Sequence, residues 1–299
     1  MSKEPVRDTT PAPAPAPAPV VEQPAPAPAP APVAQAPDTI DYRKRYELGL
    51  LPTVEVSSVA GRAAPGIAIG TPTGYGANWG DGFIGAGYQN RVRFTNDVDD
   101  GSVVAGLGIG NARDFLGLEV AATSVSTFRR GFGKNGTISA KVHRVLPRNW
   151  GVAVGAENIV NWGDTDPGDA SWYGVLSRVV HLRNQDGDPF SALTFNLGAG
   201  NGRFQQWSDF AAGDNGIYPF ASVAMRIFQP VSVIGDWSSG EFAAGLSIAP
   251  FRWVPLVITP AIVDLTNKAD DPNGGRRFSI GVGLGFRWNG IRNIFLPPR

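Results

Sequence analysis

The stretch RRFSIGVGLGFRW, residues 276–288, decides the fold because its side chains alternate strictly in character. Its even-numbered residues from Phe278 to Trp288 are large and apolar, and its odd-numbered residues from Arg277 to Arg287 are small or polar. Successive side chains of a β-strand point to opposite faces, so the stretch predicts a strand with one apolar and one polar face. Barrel strands in a membrane have this character, because one face meets acyl chains and the other a polar lumen.

The composition of the whole chain agrees with this prediction. The 299 residues carry zero net charge with a pI of about 6.7, which gives no electrostatic footprint for nucleic acid. Charged residues make up 17% of the chain, below the roughly 25% of globular proteins. No run approaches the roughly 20 apolar residues of a membrane helix. Cysteine is absent, which excludes disulfides and thiolate metal sites.

Residues 1–50 are predicted to form a disordered, Pro-Ala-rich periplasmic arm and junction. Twelve of the 26 prolines fall within residues 1–37, and such a tract favours a solvated polyproline II spacer. The arm either binds peptidoglycan or periplasmic proteins, or acts as an inert tether. Residues 1–5 lead into no apolar segment, so we expect that a signal peptide is not present in this sequence. Its removal or a mis-assigned start is favoured over a protein that is not exported, because the strand pattern downstream is strong.

Regular strands begin after residues 51–81, which are predicted to be short strands or a plug segment. We predict an all-β fold, an antiparallel up-and-down transmembrane β-barrel of about 12 strands (12–14) over residues 82–288, with a C-terminal tail over 289–299. Most candidate strands have nine to fourteen residues, close to the roughly 9–11 that cross a tilted bilayer path. They are 82–94, 102–110, 115–128, 137–146, 150–162, 172–183, 190–200, 217–228, 231–238, 241–249, 256–264 and 277–288.

The connections between these strands alternate in length. The first, third, fifth, seventh and eleventh are long and polar, whereas the even-numbered ones are short, and only the ninth, residues 238–240, breaks the rule. Long extracellular loops that alternate with short periplasmic turns are typical of outer-membrane barrels. An even number of strands also returns both termini to the periplasm.

The polar face of each strand supplies candidates for the lining of the lumen. Both signs of charge occur, and the candidates are Arg91, Arg93, Glu119, Lys141, His143, Glu157, Asp236, Glu241, Arg277 and Arg287. Some should pair across strands, because an unpaired charge is costly where water is excluded. Tryptophans at strand ends predict an aromatic girdle at the membrane surface, made of Trp150, Trp162, Trp172 and Trp288.

Catalytic chemistry has little support in the sequence. Only His143 and His181 are available as imidazole bases, and neither lies in a recognisable motif. We therefore predict no enzyme activity, no cofactor and no metal site. A barrel-embedded lipid hydrolase and a soluble β-rich binding module remain as alternatives to a membrane channel.

The final strand also resembles a known targeting pattern. Gly283, Phe286 and Trp288 resemble the assembly signal of bacterial outer-membrane β-barrels, although eleven residues follow Trp288. This resemblance implies a porin-like barrel, the barrel-assembly machinery as a partner, and the outer membrane of a Gram-negative-type bacterium. Residues 71–74, 82–88 and 236–240 more loosely resemble exopolysaccharide-linked outer-membrane barrels. The expected function is therefore a narrow channel, or a structural role linked to the envelope and polysaccharide export.

Overall fold

A computed structural model describes most of the chain from residue 45 onward. For residues 45–48 and 51–56 only the backbone is described, and residues 1–44 and 288–299 lie outside the description. The described ranges are 45–48, 51–56, 63–91, 99–125, 127–163, 170–184, 188–206, 208–209, 216–251, 254–267 and 275–287.

Twelve antiparallel strands form a closed barrel in which each strand pairs with its neighbours along the chain. Closure comes from pairing of the last strand with the first, from Ser279 opposite Gln89 to Arg287 opposite Asp81. The wall strands are β4 (Asp81–Gln89), β5 (Asp100–Gly110), β6 (Gly117–Ser124), β7 (Gly136–Leu146), β8 (Trp150–Trp162), β9 (Ser171–His181), β10 (Ala192–Gly200), β11 (Tyr218–Phe228), β12 (Val231–Ser238), β13 (Glu241–Ile248), β14 (Leu256–Val263) and β15 (Arg277–Arg287).

Three short strands precede the wall. They are β1 (Arg45–Leu48), β2 (Leu51–Val56) and β3 (Ala63–Ala64), and they form a separate antiparallel sheet. The predicted up-and-down barrel of twelve strands is confirmed, and the larger count of fourteen is wrong because this sheet is not part of the wall.

The main boundary error concerns the strand predicted over residues 115–128. Strand β6 ends at Ser124, and Thr127–Arg130 form one helical turn, α1. The Thr127 hydroxyl donates to the Ser124 carbonyl at 3.2 Å, which turns the chain away from the wall. The Phe128 ring then packs at 6.0 Å from the ring of Tyr88, an outward position of β4.

The two ends of the barrel differ in most connections as the sequence predicted, but residues 182–191, which connect β9 to β10, form a longer connection than predicted and one longer than residues 163–170 at the other end. One end, here the short-turn end, carries compact connections such as Pro147–Asn149 and residues 229–230, together with the start of β4 and the end of β15. The other end, here the long-loop end, carries the connections after β4, β6, β8, β10, β12 and β14. Its one tight turn, Ser239–Gly240, has φ values of 55° and 77°, as two-residue hairpins prefer.

The faces of the wall are inverted relative to a water-soluble barrel. Outward apolar side chains are exposed, with Leu197 at 64% and Val154 at 61%, while inward polar residues such as Ser177 and Lys141 are at most 4% exposed. Apolar exposure on this scale is typical of a wall that faces lipid.

No helix within the described ranges is long and apolar enough to cross a membrane.

Candidate functional site

The most distinctive feature of the barrel is a stretch of chain inside it, residues 64–80, here the inner segment. It is buried from Ala64 to Ala77 apart from the partly exposed Gly70, with Thr71, Tyr75 and Ala77 each 0% exposed, whereas Trp79 near its end is 60% exposed. The segment bonds to Ser247 of β13 near the short-turn end, approaches the long-loop end around Gly70, and returns to the short-turn end at Asn78. Since these partners face inward, the segment makes a hairpin-like excursion through the interior.

Asp236 on β12 holds the tip of this excursion. Its Oδ2 atom accepts hydrogen bonds from the backbone N–H groups of Ile69 at 2.9 Å, Gly70 at 3.1 Å and Thr71 at 3.2 Å. The Thr71 hydroxyl donates to the same oxygen at 3.0 Å. A carboxylate that is only 4% exposed needs such donors, because an unsolvated charge is costly without them. One oxygen therefore fixes three consecutive residues of the inner segment.

A second set of contacts joins the same tip to β8, which is four strands away from β12 in the wall. Arg203, in the connection after β10, donates from Nη1 to the Gly70 carbonyl at 3.0 Å. Its Nε and Nη2 atoms form a two-pronged ion pair with Glu157 of β8, in which Nη2 lies 2.9 Å from Oε1. Two-pronged arginine–carboxylate pairs are geometrically specific. The tip is thus held between Asp236 and the Arg203–Glu157 pair.

The returning limb of the segment has its own anchors. The Gly74 N–H donates to the Ser177 hydroxyl on β9 at 2.7 Å, and the Tyr75 hydroxyl donates to the Asn149 carbonyl at 2.5 Å. The Ala77 N–H donates to Oε2 of Glu119 on β6 at 2.8 Å. Each anchor satisfies a buried polar group, as interior backbone requires.

Glycine makes room for this limb on both sides of the contact. A Cβ atom at Gly74 would lie 2.3 Å from the Gly151 carbonyl oxygen, and one at Gly108 would lie 2.3 Å from the Ala77 carbonyl carbon. Neither site can carry a side chain without moving backbone. The inward glycines Gly108 of β5 and Gly151 of β8 therefore leave space for the inner segment.

The predicted lining residues lie mostly in buried ion pairs. Lys141 Nζ lies 3.2 Å from Glu119 Oε1, and Arg277 Nη2 lies 2.6 Å from Glu241 Oε2. Arg287, at the short-turn end, donates from Nε to Asp81 Oδ1 at 2.6 Å. With Glu157 bound to Arg203 and Asp236 bound to the inner segment, the charges face each other or the segment. Their role in lining a water path stays a prediction.

His143 is 1% exposed, and its ring lies beside Gly76 of the inner segment. A Cβ atom at Gly76 or Gly117 would come within 2.7 Å or 2.4 Å of its ring, so two glycines cradle the imidazole. Within the described residues no group of three or more histidine, aspartate or glutamate side chains could hold a metal ion.

The remaining predicted residues lie near the ends of strands or outside the description. Strand β4 ends at Gln89, so Arg91 belongs to the following connection, where it donates to the Gly275 carbonyl rather than lining the wall. Trp150 lies at the short-turn end of β8, and Trp162 and Trp172 lie at the long-loop end. Arg93 and Trp288 fall outside the described residues.

Sequence reasoning missed an aromatic cluster that fills the long-loop part of the interior. Phe204 and Phe220 stack with ring centroids 4.6 Å apart, and the Tyr173 ring lies edge-on 6.0 Å from Phe204. A Cβ atom at Gly198 would lie 2.3 Å from Phe220, and one at Gly155 would lie 2.4 Å from Tyr173. Large inward residues that face glycine on the next strand were the available signal.

No known family matches the chain by sequence, and no curated protein matches it. The chain is similar to three solved structures. The NanC porin has 10% identity and a TM-score of 0.38 over 68% of this chain and 98% of its own. Outer membrane protein Omp33 of Acinetobacter baumannii has 9% identity and a TM-score of 0.36 over 70% and 98%. The N-terminal β-barrel domain of Pseudomonas aeruginosa OprF has 12% identity and a TM-score of 0.21 over 69% and 98%. With identities of 9–12% and TM-scores of 0.38 or less, these similarities carry no argument about function. The function is therefore argued from the contacts described above.

Proposed function

We propose that this protein is a β-barrel of the outer membrane of a Gram-negative-type bacterium, and that it forms a narrow channel closed from inside by residues 64–80. The membrane location is supported by the inverted faces of the wall. Outward Leu197 is 64% exposed, whereas inward Lys141 and Glu241 are 4% and 7% exposed. In water the outward band would be an aggregation-prone apolar surface, and in lipid it is favourable.

Closure is supported by the way in which the tip of the inner segment is held. Its contacts with the wall are hydrogen bonds, which a local movement can break. Asp236 and Arg203 grip Gly70 from two sides through hydrogen bonds to polar groups. These contacts are side-chain hydrogen bonds from β12 and from the connection after β10, and they are separate from the backbone hydrogen bonds that pair the wall strands. Release of the tip would open the interior without disturbing the pairing of the wall.

The domain arrangement that follows has four parts. Residues 1–50 form the periplasmic arm, 51–81 include the plug, 82–288 form the barrel and 289–299 the tail. The arm would meet peptidoglycan or periplasmic proteins, and the barrel-assembly machinery would insert the wall. Because the interior carries both signs of charge, we expect weak ion selectivity. The resemblance to exopolysaccharide-linked barrels makes polysaccharide the first solute to test.

A non-conducting structural barrel is the second candidate. It is favoured by the burial of the interior ion pairs, in which the side chains of Lys141, Glu119, Arg277 and Glu241 are 4–9% exposed. A permanently filled interior would serve envelope architecture instead of transport. The lipid hydrolase alternative lacks such support, because the His143 ring is buried between glycines.

Conductance separates the two candidates. The full-length protein and a chain that begins at Trp79 would be reconstituted in planar bilayers, with folding checked by heat-modifiable gel migration. A channel closed by the inner segment should conduct rarely when complete and in large steps when truncated, since every wall strand begins after residue 80. If both forms fold and neither conducts, the structural barrel is the better assignment. Stable folding of the full chain without detergent or lipid would exclude both.

A further inference from the structure

The outer surface of the wall is almost free of charge. Across the described wall strands, outward positions are apolar or small with few exceptions, and only two of them carry a charged side chain, Arg144 on β7 and Arg178 on β9. A cation on a lipid-facing surface is costly unless it reaches water or an anion. Arg144 and Arg178 are two such residues, and their strands β7 and β9 both pair with β8.

The strand register brings the two arginines around one short stretch of β8. Arg144 pairs with Val152, and Arg178 pairs with Trp150. With strand spacings of about 4.8 Å and a rise of about 3.4 Å per residue, their Cα atoms lie roughly 12 Å apart. Arginine side chains are long enough to converge on a single group above β8.

The local environment positions the guanidinium of Arg178 against Trp150. Its Cζ atom lies 4.9 Å from the centroid of the Trp150 ring, which fixes the side chain over an aromatic surface. Its Nε atom is buried and has no hydrogen-bond partner. Within the described residues, neither Arg178 nor the exposed Arg144 takes part in a salt bridge.

Depth places the pair at the edge of the apolar band. Arg144 lies two residues before the end of β7, and Arg178 lies three residues before the end of β9, both at the short-turn end. Exposed Arg148 and Arg183 in the adjoining connections add positive charge, against the partly exposed Asp188 in the same region and the more distant Asp114. Headgroups lie at this level of a bilayer, and tryptophan and arginine are the residues that prefer it.

We propose that Arg144 and Arg178, with Trp150 between them, form a binding site for the phosphate-bearing headgroup of an anionic glycerophospholipid. This site rests on the proposed membrane-spanning barrel, in which the short-turn end faces the periplasm and hence the phospholipid leaflet. The phosphate accepts hydrogen bonds from both guanidinium groups, as the planar fork of arginine favours. The acyl chains then lie along the outward side chains of Val152 and Leu176.

Competition between two lipids tests the site. The detergent-solubilised full-length protein is mixed with phosphatidylglycerol and phosphatidylcholine of identical acyl chains, and bound lipid is counted by native mass spectrometry. Each arginine near an anionic headgroup should contribute about fivefold, so the pair should give a preference of about 25-fold for phosphatidylglycerol. The Arg144→Gln/Arg178→Gln double variant should lose that preference.

The matched control is the Lys134→Gln/Arg276→Gln double variant, which removes the same charge from exposed side chains at the long-loop end and should keep the preference. If the variant at the proposed site has the same preference between the two lipids as the control, the two arginines are only solvated by water and the proposal is overturned. If the double variant does not fold, each single variant should still lose about fivefold, and no loss in either overturns it. Failure of the native chain to insert into lipid would instead refute the proposed barrel function.

Discussion

Asp236 and Thr71 are joined by two hydrogen bonds to one carboxylate oxygen, from the threonine N–H at 3.2 Å and from its hydroxyl at 3.0 Å. Thr71 is 165 residues away from Asp236 along the chain, so this contact ties the inner segment to the wall. Both residues are buried, at 0% and 4% exposure. The pair is the natural position for a latch that keeps the interior closed.

Asp236→Asn should weaken this latch. An amide keeps a carbonyl acceptor but loses the charge, and hydrogen bonds to charged groups contribute about 1.5–3 kcal/mol. The open state should therefore become about tenfold or more populated. Single-channel recording measures this as a higher open probability with unchanged step size.

Ser232→Ala is the matched control for the latch. Ser232 lies on the same face of β12, is 2% exposed, and makes no hydrogen bond with the described part of the inner segment. Its replacement should leave the open probability unchanged. Equal gating in the two variants would mean that Asp236 only stabilises the fold.

The buried pair of Lys141 and Glu119 should be sensitive to the loss of either charge. Lys141→Met leaves the Glu119 carboxylate, only 5% exposed, with the Ala77 N–H as its remaining donor among the contacts described. Removing one member of a buried pair typically costs about 3–5 kcal/mol. Urea unfolding in lipid vesicles should show this loss.

The Lys141→Met/Glu119→Gln double variant should recover most of that stability, since no buried charge is left and glutamine still accepts from Ala77. A double variant as unstable as Lys141→Met alone would show that shape, rather than charge pairing, dominates at this site.

The strands could be predicted from the sequence because their determinant is local. Alternation in residues 277–287 fixes both the strand and its two faces without knowledge of its partners. The same parity placed Glu119, Lys141 and Asp236 inward, where the structure has them buried. Loop length likewise identified the two ends of the barrel.

The interior contacts could not be predicted, because they depend on which strands lie opposite each other. The inner segment shows no regular alternation of apolar and polar residues. Its hydrogen-bond partners include residues as distant as Ser247, 181 positions along the chain from Gly66. Arg203 lies in a connection and meets Glu157 only after the barrel closes. The inward position of Phe220 becomes apparent only when the register sets it opposite Gly198.

Val282→Arg should destabilise the protein in lipid. Val282 lies at the middle of β15, is 38% exposed, and faces outward between Ile258 of β14 and Ala86 of β4. An arginine near the midplane of a bilayer costs about 2–4 kcal/mol on a barrel surface. Unfolding in lipid vesicles measures the loss, with Val282→Ala as the control that removes bulk without adding charge. An arginine tolerated as well as alanine would remove this face from the membrane.

Single-cysteine labelling tests the orientation, and the absence of native cysteine makes each label unambiguous. Phe132, at 72% exposure, lies at the long-loop end, and exposed Arg183 lies at the short-turn end. If the long loops are extracellular, a membrane-impermeant maleimide should label Phe132→Cys on intact cells. Arg183→Cys should react only after the outer membrane is permeabilised, because its end faces the periplasm. Reversed labelling would invert the barrel and place the arginine pair in the outer leaflet. Labelling of both sites on intact cells would mean that the chain does not span the membrane.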